Sequence, residues 1–179
     1  MRLPTGTPTT SFTVFLSSGD DALTLRNLAD ALVRDGVGAV QLGLRLPVRF
    51  EVDRWERTAP HRLRPGESAN AEFVARAETA QLVLGFLIEE LGEGTREELE
   101  AVLGDDDIEL SVLWCVDRDN WPDTPVGRWL HPRKNQLLIE RVGPPDTDGP
   151  TVGIVRVLLE AVLRALDQHH GGEVLRERR

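Results

Sequence analysis

The run Gln81-Leu82-Val83-Leu84-Gly85-Phe86-Leu87-Ile88 constrains the fold more than any other stretch. After Gln81 it has no polar side chain, and apolar and polar residues do not alternate along it. A strand that is apolar on both faces must be covered on both faces, which is the condition of a strand inside a parallel sheet flanked by helices. The rest of the chain supplies matching pieces. Residues 11–18, 47–52, 109–116 and 136–142 read as further strands, and 47–52 alternates strictly. Between them lie helical patterns. The first follows the turn Gly19-Asp20-Asp21, places Leu25, Leu28, Ala29 and Leu32 on one face, and is weakened or ended by Gly36 and Gly38. A second, capped by Ser68, runs to about Thr79 with Phe73, Val74 and Ala77 inward. A third, short one ends near Leu103. The last enters at Pro150, carries the stripe Ile154, Val155, Leu158, Leu159, Val162 and Leu166, and ends at Gly171-Gly172. Residues 39–46 fit either a continued helix or an early strand. Strands alternating with helices give right-handed βαβ units. The expected fold is therefore α/β and flavodoxin-like: a mostly parallel five-stranded sheet with helices on both faces.

At 179 residues the chain has the length of one domain. Residues 1–10 are expected to form a disordered arm, and 11–179 a single α/β domain. The net charge of −9 argues against a broad nucleic-acid or anionic-membrane surface, because both require basic patches. No apolar run approaches a membrane span of roughly 20 residues. The first residues have no apolar segment of the kind a signal peptide needs, so the cytoplasm is the expected location. Cys115 is the only cysteine and lies within an apolar run. It reads as a buried structural thiol, with neither a disulfide nor a cysteine-rich zinc site available.

Chemistry in such a sheet belongs at the carboxyl ends of the strands. The first strand ends in Ser17-Ser18-Gly19-Asp20. Small hydroxyl residues and a glycine ahead of a helix suit a phosphate or ribose, and they equally suit a simple turn. After the second strand, Trp55 stands in a polar loop, positioned to stack on a base or to pack beneath the loop. Asn70, at the start of a helix, is placed to bond a ligand hydroxyl or only to begin the helix. After the third strand comes Glu98. Thr95-Arg96-Glu97-Glu98 also fits S/T-x-x-E, a capping box in which Glu98 would bond back to the Thr95 N–H. The histidines His61, His131, His169 and His170 lack metal-ligand spacing, and no metal site is expected. Phosphate-binding P-loop, dinucleotide-binding glycine and nucleophile-elbow motifs are absent from the sequence.

The order of these pieces resembles the DUF4062 family. Residues 15–20, Phe-Leu-Ser-Ser-Gly-Asp, are similar to its opening strand and turn. Residues 48–56, Val-Arg-Phe-Glu-Val-Asp-Arg-Trp-Glu, are similar to its second strand. Asn70 to Leu87 resembles its next helix and strand, and Gly94-Thr95-Arg96-Glu97-Glu98-Leu99 its S-G-T-x-x-E element. The resemblance covers about residues 12–116, with 120–179 outside it. Glu93 replaces the family's serine, the loop before Gly94 is short, and Ala80-Gln81 stands where the family has Ala-Asp. The family is related to TIR domains and nucleoside 2-deoxyribosyltransferases. The resemblance implies a flavodoxin-like sheet and, at Glu98, the carboxylate that attacks or stabilises the anomeric carbon of a nucleoside or NAD.

Two functions follow as expectations. One is a nucleotide or NAD N-glycosidase of bacterial signalling or defence, needing no cofactor. Glu98 would be catalytic, Ser17, Ser18, Gly19 and Asp20 would hold ribose or phosphate, and Trp55 and Asn70 would border the ligand. The other is a noncatalytic nucleotide-sensing or assembly module of the same fold, working as a homo-oligomer or with a signalling partner. In that case the final helix is either sheet cover or a dimer surface.

Overall fold

Five strands lie side by side in the order β2-β1-β3-β4-β5, every pairing parallel, in the computed structural model, which describes residues 10–39, 48–54, 70–105, 107–116, 123–135 and 137–169. The strands are β1 (Thr10–Ser18), β2 (Val48–Asp53), β3 (Leu82–Leu87), β4 (Glu109–Trp114) and β5 (Leu138–Arg141). The helices are α1 (Leu23–Ala31), α2 (Ala71–Ala77), α3 (Glu93–Ala101), α4 (Pro125–Leu130) and α5 (Gly149–His169). The flavodoxin-like α/β arrangement expected from the sequence is the one observed.

All six residues of β3 are buried, because helices close both faces of the sheet. On one face Phe12, Val14, Leu16, Leu84, Phe86 and Leu113 pack against α1 and α5. On the other, Phe15, Val83, Leu87, Val112 and Trp114 meet α2, α3 and α4. The buried Trp114 ring donates its Nε1–H to the Ile88 carbonyl at 3.1 Å, which satisfies its one polar atom and ties the end of β3 to β4. Cys115 is buried, as expected, and its thiol is pushed up to about 12 by burial first and by the nearby Asp21 charge second. An inert structural thiol is the result.

Several expectations are corrected. Gly36 and Gly38 do not stop the first helix; it continues from Leu32 to Val37 in wider, π-helical turns. Its inward face holds Leu25, Arg26, Ala29, Asp30 and Val33, so a buried cation and a buried carboxylate sit where the pattern suggested Leu28 and Leu32, which are only half-buried. On α5 the inward side is Ile154, Val157, Leu158, Ala161 and Val162, while Val155 and Leu159 face out. Val and Leu occupy nearly all sides of that helix, so the pattern could not fix its rotation. Ser68 and the Gly171-Gly172 stop lie outside the described residues, as do 40–46; Leu166 lies within α5. Among the described residues no helix is long and apolar enough to cross a membrane.

Candidate functional site

In a parallel sheet all strands end on one rim, and the order β2-β1-β3 places the topological switch point between β1 and β3. Ser17, near the end of β1, lies beside Gly85 of β3 in register. Ser17 lies two residues after Phe15 and so shares its face, the side covered by α3. A Cβ on Gly85 would stand 3.1 Å from Leu99 Cδ2. The glycine thus lets α3 settle close to the sheet, and Glu98, next to Leu99, arrives over Ser17. The Ser17 hydroxyl donates to Glu98 Oε2 at 2.5 Å. Ser17 is fully buried and Glu98 is 7% exposed.

The capping-box reading of Glu98 fails for a geometric reason. Helix α3 begins at Glu93 with Gly92 as its N-cap, so Thr95 is already inside the helix and cannot cap it. The Glu98 side chain is directed to β1 instead. Its carboxyl group is raised to about 7. Burial is the cause, opposed by the Ser17 hydrogen bond and then by the Arg26 and Arg76 charges, with Glu97 adding a small upward push. A carboxyl group poised near neutrality and held by an oriented donor is the kind of group acid–base or electrostatic catalysis uses.

Around this pair the turn after β1 is firmly built. Arg26, fully buried on α1, donates from Nη1 to the Ser18 carbonyl at 2.7 Å, the Ser18 hydroxyl at 2.6 Å and the Gly19 carbonyl at 2.9 Å. Ser18 in turn donates its hydroxyl to the Gly19 carbonyl at 3.1 Å. Gly19 is half-buried, and Asp20 and Asp21 are exposed in a single 3-10 turn. Burial and the charge of Glu90 hold Asp21 above the usual carboxylate range, with burial the larger cause.

Asn70 precedes α2 and sits against α3. Its Nδ2 donates to the Gly94 carbonyl and to Glu97 Oε2, each at 3.0 Å. A Cβ on Gly94 would come within 2.9 Å of Asn70 Oδ1, so this glycine makes room for the bridge. Trp55 lies outside the described residues. Of the candidates, Ser17 and Glu98 are in direct contact, Ser18 and Gly19 form the adjoining turn, Asp20 lies at its open edge, and Asn70 braces the helix that carries Glu98.

Sequence reasoning missed three members of this neighbourhood. Arg26 was signalled by a cation at a position inward-facing by its spacing to Ala22 and Ala29. Arg76 forms a forked pair with Asp53 at the end of β2, its Nε 2.8 Å from Asp53 Oδ2. Neither Arg76 nor Asp53 carries a sequence signal of its own, because the contact joins elements 23 residues apart. Among the described residues no group of three or more His, Cys, Asp or Glu stands together in a way that could hold a metal ion.

No protein-family model matches the chain, and no curated protein matches it in sequence. Solved structures similar to it include rubredoxin oxygen:oxidoreductase from Desulfovibrio gigas, with 9% identity and a TM-score of 0.47 over 89% of this chain and 37% of that one. Another is the sugar isomerase domain of an RpiR transcription factor from Sphaerobacter thermophilus, with 16% identity and a TM-score of 0.43 over 94% of this chain and 78% of that one. The chain thus spans little more than a third of the oxidoreductase.

Proposed function

We propose that this chain is a TIR/deoxyribosyltransferase-like domain of bacterial signalling or defence that cleaves the N-glycosidic bond of a nucleotide or an NAD-like molecule. The observation that carries the reading is the buried contact between Ser17 and Glu98 at the switch point of the sheet. In such a reaction the C1′–N bond breaks and its electron pair leaves with the base. Positive charge develops at C1′, and a carboxylate at contact distance lowers the barrier by attacking it or by stabilising it. Water then supplies the hydroxyl at C1′ and gives up a proton. Glu98 supplies a carboxylate as pH rises above about 7, and the Ser17 hydroxyl bonds it at Oε2. Asp20 and Asp21 make the turn after β1 a poor seat for phosphate, so ribose hydroxyls are the more natural partners there.

The test is incubation of the protein with NAD and a panel of nucleotides and nucleosides, read by chromatography for released base, beside Glu98→Gln. Base released by the parent and not by a folded variant supports the reading. Inertness of both at high concentration removes it for that panel.

A second reading, a noncatalytic assembly module, has its own observation. Val152, Val155, Leu159 and Leu163 form an exposed apolar stripe along α5. Such a stripe fits association with another chain. Sedimentation velocity across a concentration series tests it: a monomer at every concentration counts against self-assembly.

A further inference from the structure

We propose that Arg26 is a positioning residue for the Glu98 site: its guanidinium pins the turn after β1 so that the Ser17 hydroxyl meets Glu98, and its charge favours the ionised form of that carboxylate against the effect of burial. The catalytic consequence rests on the N-glycosidase reading; the structural and electrostatic role does not. A fully buried guanidinium is costly to desolvate, and its place on α1 is one that an apolar side chain would fill at no such cost. What it does there is specific. A single nitrogen, Nη1, gathers the Ser18 carbonyl, the Ser18 hydroxyl and the Gly19 carbonyl within 2.9 Å. These three oxygens belong to the two residues directly after Ser17. The turn is thereby locked one residue from the hydroxyl that Glu98 accepts.

The second part follows from the charges around Glu98. Arg26 from α1 and Arg76 from α2 both favour the carboxylate, and Glu97 on α3 itself opposes it. Arg76 already shares its charge with Asp53 of β2 in a forked ion pair. The three oxygens that Arg26 grips in the turn are neutral, and its charge also acts on Asp21. Of the two cations, Arg26 acts the more strongly on Glu98. With burial pressing toward the neutral acid, Arg26 opposes that pressure while it holds the donor in place.

The test reads the ionisation of Glu98 directly and without substrate, so it can fail while the N-glycosidase reading stands, and the reverse. Carbon-13 NMR of labelled glutamate carboxyls gives the Glu98 midpoint, with Glu98→Gln identifying the resonance. In Arg26→Met the midpoint rises by about one pH unit or more. In Arg26→Lys, which keeps the charge, it stays close to the parent value. A folded Arg26→Met with the parent midpoint overturns the proposal. Should Arg26→Met fail to fold, the double variant Arg26→Met/Glu98→Gln decides. A restored fold supports the proposal, because the defect then came from an uncompensated carboxylate. A double variant still unfolded, beside a folded Glu98→Gln, overturns it and leaves Arg26 a turn pin only.

Discussion

Ser17 and Glu98 stand 81 residues apart in the chain, yet the hydroxyl of one meets the carboxylate of the other at 2.5 Å inside the protein. Two rim segments, one after β1 and one after β3, meet there. The contact exists because β1 and β3 are neighbours in the sheet and because Gly85 leaves space for α3 above them.

The first prediction concerns stability and pH. Glu98 titrates near 7 in the folded protein against 4.5 ordinarily. The folded chain therefore binds more protons than the unfolded chain between those values, and stability falls as pH rises through that window. The full cost, about 3 kcal/mol, is reached above pH 7. Glu98→Gln removes the ionisation, so the variant gains stability over the parent as pH rises from 4.5 to 8, and the gain levels off beyond. Urea unfolding across that range measures it. Equal pH dependence in both proteins would contradict the account of the site.

Ser17→Ala tests the donor. The hydroxyl favours the ionised form of Glu98, so its loss moves the Glu98 midpoint upward. The same NMR titration reads the shift. A midpoint that falls or stays put would mean the hydroxyl does not bond the carboxylate in solution.

The brace between α2 and α3 makes a third prediction. Asn70→Ala removes both bonds from Asn70 Nδ2, and Gly94→Val forces the Asn70 side chain away. Each is expected to destabilise the protein by about 1–2 kcal/mol. Because they break the same contact, the double variant loses less than the sum of the two. Strict additivity in denaturant unfolding would show that the brace is not shared.

Helix α5 gives the fourth. Leu158→Ala, at a buried position, is expected to cost about 3 kcal/mol. Leu159→Ser, one residue on and 52% exposed, is expected to change stability by less than about 0.5 kcal/mol. Thermal unfolding of the two variants at one protein concentration separates them.

The sheet was legible in the sequence because its signals are local. The unbroken apolar run of β3, the alternation of β2 and the strand–helix rhythm each lie within one segment. Glu98 was singled out by its place after β3, although its local sequence taken alone favoured a helix cap; only the start of α3 at Glu93 decides against that. Arg26 left only the faint signal of its spacing to Ala22 and Ala29, and the Arg76–Asp53 pair left none. Their roles depend on which face of a helix turns inward and on contacts between distant elements. The π-helical turns after α1 and the all-round apolar surface of α5 blurred the helical period, which is the only rotational signal a sequence carries.

The most direct test of the central claim is the rate of base release from an N-glycoside substrate of the panel as a function of pH, in the parent and in Glu98→Gln. The account predicts a parent rate that climbs as Glu98 ionises through about pH 7, and a folded variant slower by about 100-fold or more at pH 8. Release at the parent rate from Glu98→Gln, or a parent rate indifferent to pH across that range, would contradict it.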